Sequence, residues 1–343
     1  MPHLYSIANC VGIDDIGITS AVYYINMNKI KIAYFGAPGF SAGVLQRILD
    51  DKGIPVSVEL VVTQSDKPAG REQILTPTPV KLLAQKYNIP VFDTLHVTRA
   101  TLHEIDLALL YAYGEIIPPD VLNIPRWGFW NIHPSLLPKY RGPSPITYPL
   151  LLGDKQTGVS LIEMDERLDH GKIIDQKEYM IESSDTQESL RKRLSDEGYE
   201  LFKKNIQLLL DGALQKKEQI HEKRTFTRLL TKQDGFIPLP IVQKILRGES
   251  ITKDEIPPII SEYFTKYGVS PTIDYRLTTF DLFRALSPWP GLWTLIPLNG
   301  VEKRLKITGI TLSTNHYPLI THVQLEGKKE VDFAIFNSAY KVF

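Results

Sequence analysis

Asp106-Leu107-Ala108-Leu109-Leu110-Tyr111-Ala112-Tyr113 is the stretch on which the fold turns. It is short, almost unbroken in its apolar character, and closed by Gly114. A strand with one wet face alternates apolar and polar residues. A strand covered on both faces reads as a continuous apolar run, as in parallel sheets sandwiched between helices. The flanking chain agrees. Upstream, Lys29 to Phe35 (KIKIAYF) alternates, turns apolar and ends at Gly36, which predicts a first strand running into a glycine loop. Ser41 to Leu49 has helical character, and Val56 to Thr63 is a second β-rich run. Thr78-Pro79 joins a capping residue to a proline at the first helical position, so a helix is predicted from there to about Tyr87. Downstream, Gly128 to Ile132 reads as another strand. Gly158 to Met164 and Ile173 to Met180 read as two more, joined by a short loop. Thr186 to about Leu210 is an amphipathic helix, with Leu190, Leu194, Leu201, Ile206 and Leu209 mostly on one side. Strands alternating with helices predict an α/β, Rossmann-like domain around a parallel sheet.

A chain of 343 residues suggests two domains. The α/β pattern fills 29–212. A segment over 213–230, with the charged run Lys216 to Arg224, reads as a linker. Residues 231–343 begin with proline-rich stretches. From Leu292 they carry the short β-like runs LWTLI, RLKITGITL and HVQLE, which predict a smaller β-barrel-like (OB-like) domain. The apolar tail from Val331 to Phe343 has helical character. Residues 1–28 hold no Lys or Arg and carry Asp14 and Asp15, the reverse of a basic presequence, and read as an appended tail upstream of Met27. One cysteine, Cys10, excludes an internal disulfide. No run of about 18 apolar residues predicts a membrane span. Lys plus Arg and Asp plus Glu both number 39, so a strongly basic nucleic-acid binder is excluded and any RNA-binding surface has to be a local patch.

The densest chemistry lies in Asn131-Ile132-His133-Pro134-Ser135-Leu136-Leu137-Pro138-Lys139-Tyr140-Arg141-Gly142-Pro143, directly after a predicted strand. In open α/β sheets ligands sit at the carboxyl ends of strands. Two residues apart on an extended end, Asn131 and His133 point the same way. An amide donor beside an imidazole suits a carbonyl oxygen that gains charge while a proton moves. Alone, the pair reads more readily as a turn cap and a buried structural histidine, and only a second segment reverses that reading. A second segment, Met164-Asp165-Glu166-Arg167-Leu168-Asp169-His170-Gly171, forms an acidic loop between two predicted strands. A carboxylate there can orient His133, although Asp169 and Gly171 are also ordinary turn formers. The histidines lack ligand spacing, so no metal site is expected. Gly36-Ala37-Pro38-Gly39 is not G-x-G-x-x-G, which argues against a nicotinamide site.

Together the two segments resemble the signature of the 10-formyltetrahydrofolate-dependent formyltransferase family. In that family an Asn, a His two residues on and an Asp about 36 positions later form a catalytic trio. Asn131, His133 and Asp169 match in type, order and spacing. The resemblance extends from about Lys29 to Gly327. It implies formyl transfer from 10-formyltetrahydrofolate without a metal. It places the pterin beside Leu110, Tyr111, Ala112, Tyr113 and Gly114, with the loop Ser135, Leu136, Leu137 and Pro138 adding folate contacts. Gln64-Ser65-Asp66-Lys67-Pro68-Ala69-Gly70-Arg71 resembles the insertion loop of the methionyl-tRNA branch, with Arg71 and Lys67 as tRNA contacts. Where that branch carries further lysines, Glu72-Gln73-Ile74 follow here. Arg284-Ala285-Leu286-Ser287-Pro288-Trp289-Pro290-Gly291 resembles the start of the C-terminal barrel that helps hold tRNA. Arg141 and the cluster Lys303, Arg304 and Lys306 complete the expected contacts with initiator methionyl-tRNA. A monomer in the bacterial cytoplasm is the expectation, with the mitochondrial matrix as the alternative compartment. Three other readings stay open: a sibling enzyme acting on an amino sugar or purine precursor, a hydrolase releasing formate, and a folate- or RNA-binding module without turnover.

Overall fold

A computed structural model describes residues 29–343 apart from 71, 94–96, 248, 250, 253–254, 256, 269–274 and 315–316. The tail expected over 1–28 and the expected contact Arg71 therefore lie outside the described residues. The first part of the chain runs β1 (Ile30–Gly36), α1 (Gly39–Asp50), β2 (Val56–Thr63), β3 (Lys67–Ala69), β4 (Ile74–Thr76), α2 (Pro79–Lys86), β5 (Val91–Asp93), α3 (Arg99–Leu102), β6 (Leu107–Tyr111), α4 (Pro119–Leu122), β7 (Phe129–His133), α5 (Thr147–Leu151), β8 (Gln156–Glu163), β9 (Ile173–Met180) and α6 (Gln187–Leu210). Seven of these strands form one sheet in the order β5-β2-β1-β6-β7-β8-β9. The first five are mutually parallel. β8 and β9 run antiparallel at one edge, as a short connecting loop requires.

The apolar run at β6 is buried on both faces. Leu107, Leu109 and Tyr111 face α1 and α6, in one hydrophobic cluster with Leu45 and Leu194. Ala108 and Leu110 face the other side, in a cluster with Leu102 of α3 and Val121 of α4. Burying Leu107 and Leu109 completely contributes about 1.5–3 kcal/mol each. The helix starts obey local rules. Thr78 Oγ1 accepts from Lys81 N at 3.1 Å, with Pro79 at the first helical position. At α6, Thr186 Oγ1 accepts from Ser189 N and Ser189 Oγ accepts from Thr186 N, a closed capping box.

The second part runs α7 (Leu239–Leu246), α8 (Pro258–Tyr267), α9 (Tyr275–Leu286), β10 (Leu292–Leu298), β11 (Val301–Leu312), β12 (Pro318–Leu325), β13 (Glu330–Asp332) and α10 (Phe333–Tyr340). The expected smaller β unit is present as a four-stranded antiparallel sheet, β10-β11-β12-β13, with β10 and β13 at its edges. Its strands pair in chain order, and Phe236 adds a parallel bridge to Trp293 of β10. Three helices stand where the sequence reads as proline-rich loop. Their prolines sit where helices tolerate them: Pro238 and Pro257 cap α7 and α8, and Pro240 and Pro258 lie in the first turn. One face of the sheet, including Leu292, Leu305 and Val323, shares a hydrophobic cluster with α1 and α6. α9 packs on α5, and Arg284 Nη1 donates to Glu182 O at 3.1 Å. The segment expected as a linker is tied to the first part. Lys217 and Ile173 exchange backbone hydrogen bonds of 2.8 Å, and Arg141 N donates to Thr225 O at 2.9 Å.

Candidate active site

β7 builds the centre of the site. Trp130 and Ile132 point toward α6 and lock the strand in the core. Strand alternation then turns Asn131 and His133 to the opposite face, where they are 7% and 4% exposed. Leu110 of β6 lies in register with Asn131, so the expected folate strand end and the amide are neighbours. The loop between β8 and β9 folds over this face and brings Asp169 to both residues. Asp169 Oδ1 accepts from Asn131 Nδ2 at 3.3 Å and lies 3.6 Å from His133 Nδ1. Its Oδ2 accepts from Gly142 N at 2.7 Å. Two glycines make this approach possible. Gly142 has φ +104, and a Cβ there would meet Thr227 O at 2.9 Å. A Cβ on Gly171 would sit 1.8 Å from Glu163 O. Asp169 itself has φ 46, the left-handed region that Asp tolerates better than most residues.

The hydrogen bonds fix the histidine tautomer. Tyr140 O can only accept, and it lies 3.0 Å from His133 Nε2, so that nitrogen carries a proton. Nδ1 is therefore the nitrogen free to gain or lose one, and it faces the carboxylate. The second hydrogen of the Asn131 amide is left for an oxygen bound in front of the strand. Behind the site, Tyr140 donates its hydroxyl to Asp154 at 2.6 Å, and burial with the adjacent carboxylate holds that phenol protonated.

The loop after His133 is pinned from below. Ser135 Oγ donates to Lys139 O at 2.7 Å. Ser160 of β8 donates to Ser135 O at 2.6 Å and accepts from Leu137 N at 3.1 Å. Gln176 of β9 donates to Leu137 O at 3.0 Å and to Ser160 Oγ at 2.8 Å. Leu136 and Pro138 remain partly exposed. Ser160, Gln176 and Gln219 are absent from the sequence reading. Each sits far from the motif in sequence, and only the pairing of β7, β8 and β9 brings the first two beneath it.

Other expected residues fall into two groups. At the end of β6, Tyr111 and Tyr113 are buried, Tyr111 with its hydroxyl pushed up to about 12 by burial. Backbone rather than side chain is what this strand end offers, through Ala112 at φ 52 and Gly114 at φ 81. Gln64 Nε2 donates to Tyr113 O at 2.8 Å, and Lys67 Nζ donates to Gln64 Oε1 at 2.8 Å, joining the base of the β3–β4 hairpin to that strand end. A cleft of about 450 Å³ opens alongside, lined by Thr63, Gln64, Asp66, Lys81 and Asp93 among others. Two expected RNA contacts need correction. Arg141 is only 2% exposed, so it is not a surface cation. Its Nη2 donates to Gln219 Oε1 at 2.6 Å and to His221 Nδ1 at 2.9 Å. Burial pulls its pKa down, against the opposing pull of Asp169. The cluster Lys303, Arg304 and Lys306 lies on β11 but does not form one patch. Strand parity puts Lys303 on the side of buried Leu305 and Ile307, and Arg304 with Lys306 on the other. Among the described residues no group of three or more His, Cys, Asp or Glu is placed to hold a metal ion, and no helix is long and apolar enough to cross a membrane.

Comparisons with known proteins bear on the family. The family described as Formyl transferase matches residues 29–206. A methionyl-tRNA formyltransferase of Bacillus cytotoxicus is 41% identical over 245 residues, covering 65% of this chain and 77% of that protein. One from Bacillus thuringiensis subsp. konkukian is 40% identical over the same length. Among solved structures, an N-formyltransferase from Helicobacter canadensis in complex with folinic acid and dTDP-3-aminofucose superposes with a TM-score of 0.54 at 19% identity, over 88% of this chain and 98% of that one. A 4-N formyltransferase from Francisella tularensis gives 0.53 at 19% identity, over 80% and 96%. These structures share the fold. With its Asn, His and Asp meeting at the end of β7, and with the family match spanning the whole parallel sheet, this chain belongs to the formyl transferase family.

Proposed function

We propose that the protein transfers the formyl group of 10-formyltetrahydrofolate to the α-amine of initiator methionyl-tRNA. The observation that carries the chemistry is the meeting of Asp169 Oδ1 with both Asn131 and His133 Nδ1. The relatives named methionyl-tRNA formyltransferase support the choice of acceptor. The neutral amine attacks the formyl carbon and a C–N bond forms, while the formyl oxygen takes up negative charge. Asn131 donates to that oxygen, and so does His133 when Nδ1 carries a proton. One such donor is typically worth about 2.7–4 kcal/mol. Asp169 fixes the imidazole and accepts the proton the amine must lose. The bond from carbon to N10 then breaks, and N10 leaves with that proton.

The backbone after β6 and the Ser135–Pro138 loop are proposed to hold the folate. Lys67, Arg71, Arg304 and Lys306 are proposed to follow the tRNA backbone. The first part of the chain acts as the catalytic domain and the second as the tRNA-holding domain, in a monomer. The bacterial relatives support a cytoplasmic enzyme, with the mitochondrial matrix as the alternative. The test is a transfer assay with labelled 10-formyltetrahydrofolate and, in parallel, methionyl-tRNA and a panel of amino sugars. Label on methionyl-tRNA establishes the reading. Label only on a sugar, or formate release without an acceptor, overturns it.

A further inference from the structure

We infer that Gln219, held by Arg141, is a positioning residue that sets the geometry of Asp169. This rests on the catalytic role proposed above for Asp169. Gln219 lies in the charged stretch that reads as a linker, yet it is 4% exposed. Its Nε2 has two hydrogens, and both are used on one turn: one goes to Asp169 O at 2.9 Å, the other to Gly171 O at 2.8 Å. The amide thus staples two carbonyls two residues apart, the first of them belonging to the residue whose φ is 46. A non-glycine residue leaves the left-handed region unless its surroundings hold it there. Gln219 Oε1 is in turn fixed by Arg141 Nη2 at 2.6 Å.

The residue after Arg141 holds the other end of Asp169. Gly142, next to Arg141, donates its N–H to Asp169 Oδ2 at 2.7 Å. Segment 141–142 therefore grips the Asp169 backbone through Gln219 and the Asp169 carboxylate directly. Oδ2 is thus turned to Gly142, and Oδ1 is the oxygen that meets Asn131 and His133. This closed circuit accounts for a buried guanidinium in a loop where a surface cation was expected. It also explains why the stretch around Gln219 runs against the sheet instead of away from it. A displacement of about 1 Å at a catalytic group can cost about a hundredfold in rate, and the circuit removes that freedom.

The test uses the full-length protein with Gln219→Glu. The carboxylate keeps an acceptor for Arg141 but removes both donors to the loop. kcat is expected to fall about 30- to 100-fold, with KM for the folate within about threefold. Amide exchange at Gly142 is expected to quicken at least about tenfold, because a loosened carboxylate no longer holds that N–H. If Gln219→Glu does not fold, Gln219→Met keeps the length and shape and tests the same loss. kcat within threefold of wild type in a folded variant, or unchanged exchange at Gly142, overturns the inference. The exchange measurement needs no acceptor. A wild type that formylates nothing therefore defeats the proposed function and leaves the positioning role to be decided by exchange alone.

Discussion

Two regions of this molecule face the proposed substrates, and they are built in opposite ways. At the end of β7 the trio is anchored to backbone at three points: His133 Nε2 donates to Tyr140 O, Gly142 N donates to Asp169 Oδ2, and Gln219 ties down the Asp169 turn. The β3–β4 hairpin has only three paired positions on each strand, and Ile74 and Leu75 are 60% and 67% exposed. The first region is ordered before any ligand arrives; the second has side chains without a core beneath them. Stabilising a developing charge requires groups that do not reorganise during the reaction. A large, charged partner can instead complete its contacts as it binds. Variants in the first region should therefore act on kcat with large effects, and variants in the second on affinity with small ones.

The strongest test is Asp169→Asn. Asparagine can still accept from Gly142 N, so the fold should persist with little change in Tm. The variant cannot take up the amine proton, and kcat should fall by about 10²–10⁴-fold. Steady-state kinetics beside a melting curve would decide it; near-normal turnover in a folded variant removes the contrast between the regions. Next in size is Asn131→Ala, which deletes a donor to the developing oxyanion and should lower kcat about 10²–10³-fold. A rise in KM at constant kcat would assign the amide to ground-state binding instead.

Ser160→Ala probes the support rather than the chemistry. Its hydroxyl joins Ser135 O, Leu137 N and Gln176, all buried or nearly so. Losing it should destabilise the fold by about 1–3 kcal/mol, read from denaturant unfolding. It should also weaken folate binding more than it lowers kcat. Equal losses in kcat and affinity would mean that the loop and the trio act as one unit.

How far the sequence foretold this follows the same division. The apolar run at β6, the cap at Thr78 and the box at Thr186 are local features, and local physics suffices to read them. The trio was legible because one strand and one loop keep fixed spacing. Arg141 was misread because its partners, Gln219 and His221, lie about eighty residues away and only the packed segment brings them together. Helices α7 and α8 were hidden by prolines whose place at helix starts shows only once the starts are known.

The smallest expected effect, and the one that most sharpens the comparison, concerns β11. Arg304 and Lys306 share a face, while Lys303 lies on the side of the apolar residues at the strand end. If the β11 surface recognises RNA by charge, each cation that meets a phosphate contributes about one to the slope of log affinity against log salt. Arg304→Ala and Lys306→Ala should each lower that slope by about one and leave kcat unchanged, whereas Lys303→Ala should leave both alone. Titrations of methionyl-tRNA at several salt concentrations would show it. Equal effects from all three would mean that the chain folds the strand end over the RNA. No effect from any of them would move the contact surface away from β11 and leave the hairpin to carry the affinity.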